Sequence, residues 1–171
     1  MKIIVINGQG GAGKDTFVEK CQEANPNVVN LSMIDAIRFM AKELGWDGVK
    51  DERGRRFLSD IKDALARYND QPFQLVLKQV RMITEQKPNT IFFIHAREPE
   101  DIDRWVKDYG AQTLLITRPD VKGDWDNHAD ANVYNYDYDY HYSNDDGIGR
   151  LTENAEKFIK FIDKLKWESH V

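Results

Sequence analysis

One cysteine, Cys21, occurs among 171 residues, so no disulfide can form within the chain. It falls on the apolar side of the first helical pattern and reads as a small core residue. Five prolines are scattered singly, and no repeat, low-complexity tail or linker divides the sequence. No apolar stretch approaches eighteen residues, and the chain opens directly on a strand pattern. Neither a membrane span nor a signal peptide is therefore expected, and with the reduced thiol this points to the cytoplasm. Positive charge is in deficit: 24 Lys and Arg stand against 29 Asp and Glu, a net charge of -5 with a pI near 5.4. Such a field does not favour nucleic acid, so an anionic ligand must be gripped by local cations. A chain of this length fits one domain with a full core.

What is present is concentrated in the first sixteen residues. A short apolar run, Ile3 to Ile6, reads as a buried strand and breaks into the glycine-rich stretch Gly8-Gln9-Gly10-Gly11-Ala12-Gly13. Lys14 then opens an amphipathic segment carrying Phe17, Val18 and Cys21 on one side. The spacing is that of the phosphate loop, G-x-x-x-x-G-K. Glycines let the backbone curl so that successive amides face a phosphate at the positive end of a helix dipole. Lys14 supplies a mobile charge for the β- and γ-phosphates. Asp15 stands where the metal-ligating Ser or Thr is usual, and Thr16 follows, about 100° further round the helix. A carboxylate beside a polyphosphate is repulsive unless a cation lies between them, so Asp15 reads as a Mg²⁺ ligand, direct or through water.

Downstream, short strands are expected at Val28 to Leu31, Thr90 to Ile94 and Gln112 to Thr117. Helical spacing predicts a helix capped by Ser32 and stopped by Gly45, one over about 55–68, one from the Asn69-Asp70-Gln71-Pro72 start to about Gln86, one from Glu98 to near Gly110, and a last one over about 150–166. Tyr136, Tyr138, Tyr140 and Tyr142 alternate with polar residues, which suggests an edge strand with one aromatic face packed under the last helix rather than a base-stacking platform. Strands alternating with helices predict a parallel sheet covered on both faces. In such sheets ligands lie at the carboxyl ends of the strands, which singles out the residues after each apolar run.

Asp35 and Arg38 follow the second strand one helical turn apart. Arg97 comes two residues after the third strand and Arg118 directly after the fourth, while Arg67 closes a helix. Arg53, Arg55 and Arg56 read best as solvated charges. Arg97 and Arg118 are aimed by their strand ends at the ligand edge, where guanidinium groups can grip phosphate and stabilise a transferring phosphoryl group. One phosphate loop and separately placed arginines imply two phosphorylated ligands, hence a kinase with a phosphate-bearing acceptor. His95 ends a buried strand. Transfer to an already anionic phosphate needs no base, so a positioning or core histidine is favoured. His128 falls in an aperiodic loop and reads equally as a ligand contact or an exposed residue.

These residues resemble a known family. Gly13-Lys-Asp-Thr16 is similar to the loop of bacteriophage-type deoxynucleoside monophosphate kinases, and animal phosphomevalonate kinases share its Gly-Lys-Asp feature. The phage-type resemblance extends over most of the chain, through Asp35-Ala-Ile-Arg38, Leu44-Gly-Trp-Asp-Gly-Val-Lys-Asp-Glu52, the helix from Arg55-Arg56 to Arg67, His95-Ala-Arg-Glu-Pro99, Arg118-Pro119, Asp126-Asn-His128 and Asp139 to Gly147. It implies a three-layer α/β/α phosphate-loop fold with a five-stranded parallel sheet, a monophosphate-binding insertion over about 32–88 and a lid over about 118–136. It also implies transfer of the γ-phosphate of ATP, with Mg²⁺, to a nucleoside or deoxynucleoside 5′-monophosphate. Gly8 to Thr16 would hold the donor and Asn144 would lie near its base. Asp35, Arg38, Arg67 and Arg97, with His128, would serve the acceptor, and Arg118 would begin the lid. Lys14, Arg97 and Arg118 would share the developing charge. The partners so implied are small nucleotides, with no nucleic acid and no membrane, in a monomer or homodimer. The sequence departs from the family at His95-Ala96-Arg97, where Asp-Val-Arg is usual, and in a lid stretch poor in cations.

Overall fold

The structure, a computed structural model, describes residues 1–49, 51–119, 132–145 and 147–167. Five strands form one sheet: β1 (Lys2–Asn7), β2 (Val28–Ser32), β3 (Ile91–His95), β4 (Gln112–Thr117) and β5 (Tyr140–Ser143). Their order is β2-β3-β1-β4-β5, and every neighbouring pair is parallel. The helices are α1 (Lys14–Ala24), α2 (Asp35–Glu43), α3 (Glu52–Asn69), α4 (Gln71–Gln86), α5 (Pro99–Tyr109) and α6 (Gly147–Lys164).

The unbroken apolar runs of β1 and β3 follow from burial on both faces. Ile3, Val5, Phe92 and Ile94 pack on one side with Phe73, Val76 and Val80 of α4 and Ile102 and Trp105 of α5. Ile4, Ile6, Ile91 and Phe93 pack on the other with Phe17, Val18 and Cys21 of α1 and Leu151, Ala155, Ile159 and Ile162 of α6. Alternating residues thus feed opposite cores, giving three layers, helix–sheet–helix. Burial raises the Cys21 thiol to about 12, so it is inert core material as expected.

Helices α2 and α3 carry their own small core of Ile37, Ala41 and Leu58, separate from the two main layers. Helix α3 begins three residues before the sequence pattern suggests, because the Asp51 carboxylate caps it by accepting from the Gly54 amide at 2.7 Å. Ser32 does not cap α2. It extends β2 by one residue opposite His95, and its hydroxyl accepts from the Ile34 amide at 3.3 Å. At the junction of α3 and α4, Asp70 adopts a left-handed conformation (φ 57°). Arg104 of α5 holds its carboxylate through two bonds of 2.8 Å while stacking 3.6 Å over Phe73, which ties the α3–α4 junction to α5.

The tyrosine run forms the expected edge strand under the last helix over only part of its length. Only Tyr140–Ser143 joins the sheet, and the rings split between the cores: Tyr136 and Tyr138 pack on the α5 side, Tyr140 and Tyr142 on the α6 side. Asp139 causes the break, since its carboxylate takes both the amide (2.8 Å) and the hydroxyl (2.9 Å) of Thr113, replacing the ladder at the entry to β5.

Candidate functional site

The site grows from the turn after β1. Asn7 is fully buried and its Oδ1 accepts from the Gly8 amide at 2.8 Å. Its amide group donates to the Tyr138 hydroxyl at 2.8 Å and to the Arg97 carbonyl at 3.3 Å, so one side chain joins the loop to the ends of two other segments. Gly8 has φ 148°, and a Cβ there would come within 2.1 Å of the Ile116 carbonyl oxygen of β4. Only glycine fits. Gly13 (φ 92°) forms the N-terminal boundary of α1, and no side chain caps that helix, so its first amides remain available to an anion. Asn144, buried beyond β5, donates to the Ala12 carbonyl at 3.0 Å and thereby braces the outer arm of the loop. Gln9 is buried, and its carbonyl accepts from the Ala12 amide at 3.2 Å. The Lys14 ammonium folds back onto the loop, donating to the carbonyls of Gly8 (2.5 Å) and Gln9 (2.7 Å), and must swing outward to meet a phosphate.

A cavity of about 530 Å³ opens between this loop, the ends of β2 and β3, and helices α2 and α3. Gly10, Gly11, Lys14 and Asp15 line one end, and Asp35, Arg38 and Arg97 line it from segments far away in sequence. Strand register explains the convergence, since Ile6, His95 and Ser32 lie side by side across β1, β3 and β2. Arg38 donates to Asp35 at 2.9 Å, which holds the pair across the first turn of α2. Its Nε atom is buried without a hydrogen-bond partner.

Not every expected site residue lines this cavity. Arg67 is exposed on the last turn of α3 and does not line the cavity. Arg118 is exposed just past β4 and does not line it either. His128 and the rest of residues 120–131 lie outside the described residues. Thr16, half-buried on α1, is likewise not on the cavity wall. Arg55, exposed as expected of a solvated charge, also borders the cavity, and so do Ser59 and Lys62. Lys62 bridges to Asp101 of α5 at 3.1 Å, with both side chains mostly buried. Their shared face was readable from spacing, because Arg55, Ser59 and Lys62 repeat at four and three residues on α3.

His95 stands at the centre. Its side chain is 14% exposed, and its Nε2 lies 3.6 Å from the Asp15 carboxylate, itself 81% exposed. Burial, reinforced by Lys14, Arg97 and Arg38, lowers its pKa to about 4 against the pull of Asp15, so the imidazole is neutral at neutral pH. Nε2 has no hydrogen-bond partner. Among the described residues no three His, Cys, Asp or Glu side chains form a metal cage. A divalent cation would take phosphate oxygens and water for its remaining ligands, as cations bound with nucleotides do. The Asp15 carboxylate and the orphaned His95 nitrogen fit such an ion.

No family model and no curated protein sequence matches the chain. Solved structures do. A dephospho-CoA kinase from Campylobacter jejuni superposes with a TM-score of 0.56 at 13% identity, covering 96% of this chain and 98% of its own. An unliganded sugar kinase from Janibacter sp. HTCC2649 gives a TM-score of 0.46 at 14% identity over 94% of this chain and 95% of its own. The parallel sheet with helices on both faces is thus an arrangement this chain shares, over nearly its whole length, with the Campylobacter kinase.

Proposed function

We propose that the chain is an ATP- and Mg²⁺-dependent kinase that phosphorylates a nucleoside or deoxynucleoside 5′-monophosphate. The observation that carries this reading is a cavity lined at once by Lys14 and Asp15 of the glycine loop and by Arg38 and Arg97 from other strand ends. A loop shaped for a polyphosphate, facing guanidinium groups across one space, suits a donor and an acceptor that both bear phosphate. Kinase activity in the Campylobacter neighbour agrees with this, although at 13% identity that likeness speaks for the fold alone.

In this reading the amides of the loop and the N-terminus of α1 hold the β- and γ-phosphates, and Lys14 leaves its loop carbonyls to join them. Arg38 and Arg97 fix the acceptor phosphate so that its oxygen meets the γ-phosphorus in line, and positioning and charge stabilisation carry the rate. The bound cation, with Asp15 as its protein ligand, would neutralise the phosphate charge. Arg118 serves in this proposal from the mouth of the following stretch and Arg67 from the end of α3. His128 completes the acceptor contacts, and Asn144 acts by bracing the loop beneath the donor. The partners are small nucleotides.

A panel of ribo- and deoxyribonucleoside monophosphates, with phosphomevalonate and dephospho-CoA beside them, in an ADP-release assay with ATP and Mg²⁺ tests the proposal. Stimulation by a nucleotide supports it. Stimulation by a non-nucleotide phosphate alone replaces the acceptor class, and ATP binding with no stimulated release would mark a nucleotide-binding protein without transfer.

A further inference from the structure

We propose that the divalent cation accompanying the nucleotide is bound directly by Nε2 of His95 together with the carboxylate of Asp15, and that this pair selects a first-row transition ion such as Mn²⁺ over Mg²⁺. The inference rests on the nucleotide-binding reading above and goes beyond it in assigning a ligand and a metal preference. Five buried side-chain polar atoms lack partners among the described residues: Asn30 Oδ1, Arg38 Nε, His95 Nε2, Trp105 Nε1 and Tyr142 OH. Three of these residues, Asn30, Arg38 and His95, line the cavity that Gly10, Gly11 and Lys14 of the loop also border. Buried polar atoms are almost always satisfied, so their clustering marks a place prepared for something polar.

Arg38 Nε is a donor that cannot ligate a cation, whereas His95 Nε2 is a ligating nitrogen 3.6 Å from Asp15 Oδ1, a separation too long for a hydrogen bond. It is close to what a shared ion requires. Two ligands each about 2.1 Å from a metal, on adjacent octahedral positions, are about 3 Å apart. The exposed Asp15 side chain can close the difference by a small rotation.

Charge makes this binding conditional. Lys14, Arg97 and Arg38 all act on His95 and would repel a bare cation there. A nucleotide's phosphates reverse that local sign, so the ion enters with the nucleotide and not before it. Ligand chemistry then sets the preference. Mg²⁺ strongly favours oxygen ligands, whereas an imidazole nitrogen is an ordinary ligand for first-row transition ions.

The test uses the full chain with ¹⁵N-labelled histidine, loaded with Mn²⁺ and ADP and examined by pulsed electron paramagnetic resonance. The expected result is a ¹⁵N coupling to Mn²⁺ that is present with ADP and absent without it. It should be lost in His95→Gln and kept in His141→Gln. A His95→Asp variant should keep the cation but reduce the Mn²⁺-over-Mg²⁺ preference about tenfold, the scale on which coordination changes move metal affinity. The wild-type coupling needs no variant, so a poorly folded mutant does not spoil the test. If calorimetry shows ADP binding while no ¹⁵N coupling appears, or if the coupling survives His95→Gln, the metal assignment is overturned and the nucleotide site stands. If no nucleotide binds, both fall.

Discussion

Replacing His95 with glutamine should change how stability depends on pH. Burial first, and then the cations Lys14, Arg97 and Arg38, lower the folded-state pKa from the ordinary 6.5 to about 4, while Asp15 opposes them. Between those values the unfolded chain binds a proton that the folded chain refuses. Stability from the neutral imidazole is therefore complete above pH 6.5 and is lost as pH falls towards 4. At 1.36 kcal/mol per pH unit, the interval amounts to about 3 kcal/mol. Urea unfolding of wild type and His95→Gln, without nucleotide, at a series of pH values from about 4 to 7.5 reads this directly. Lost packing in the variant displaces its curve by a constant, whereas the proton term changes its slope. The wild type should lose about 3 kcal/mol relative to the variant on acidification. Two parallel curves would refute the argument and imply that His95 is well solvated.

Gly8→Ala should destabilise by roughly 2–4 kcal/mol, because its φ is nearly glycine-only and the new Cβ meets a backbone oxygen. Gly147→Ala, at φ 80° in open space, should cost only about 1 kcal/mol; thermal melts that fail to rank the two in this order would count against the reading of the loop. Tyr138→Phe takes the acceptor from one N–H of the Asn7 amide group and the hydroxyl donor from the Val133 carbonyl, so denaturant unfolding should show a loss of about 1–3 kcal/mol. Arg97→Ala should lower acceptor kcat/KM by at least about tenfold, the scale of one charge-assisted hydrogen bond, while the ATP Kd stays within about threefold. Equal damage to both in steady-state assays would make Arg97 a structural residue.

Much of the architecture was legible because β1, β3 and β4 are apolar on both faces and glycines or prolines stand at the ends of several helices. Gly110, for example, closes α5 in a left-handed conformation, as its position suggested. Errors came where side chains compete with backbone ladders. The Asp51 cap moved the start of α3, and Asp139 cut the tyrosine strand short, effects that apolar periodicity does not register. At the site, the glycine loop was readable from spacing alone. Arg55 is exposed, as a solvated charge should be, but that it also borders the cavity depends on tertiary packing that the sequence does not display. The buried contact between Asn7 and Tyr138, 131 residues apart, and the brace from Asn144 to Ala12 depend on long-range packing that no local pattern contains.

The loop as a polyphosphate cradle is tested most directly by calorimetric titration of the purified chain and its Lys14→Ala variant with ATP and Mg²⁺. Saturable binding by the wild type, weakened at least about tenfold in the variant, is the predicted result, since Lys14 contributes a charged hydrogen bond to the phosphates. A wild-type chain that binds no nucleoside triphosphate, or a variant that binds as tightly as wild type, would contradict it.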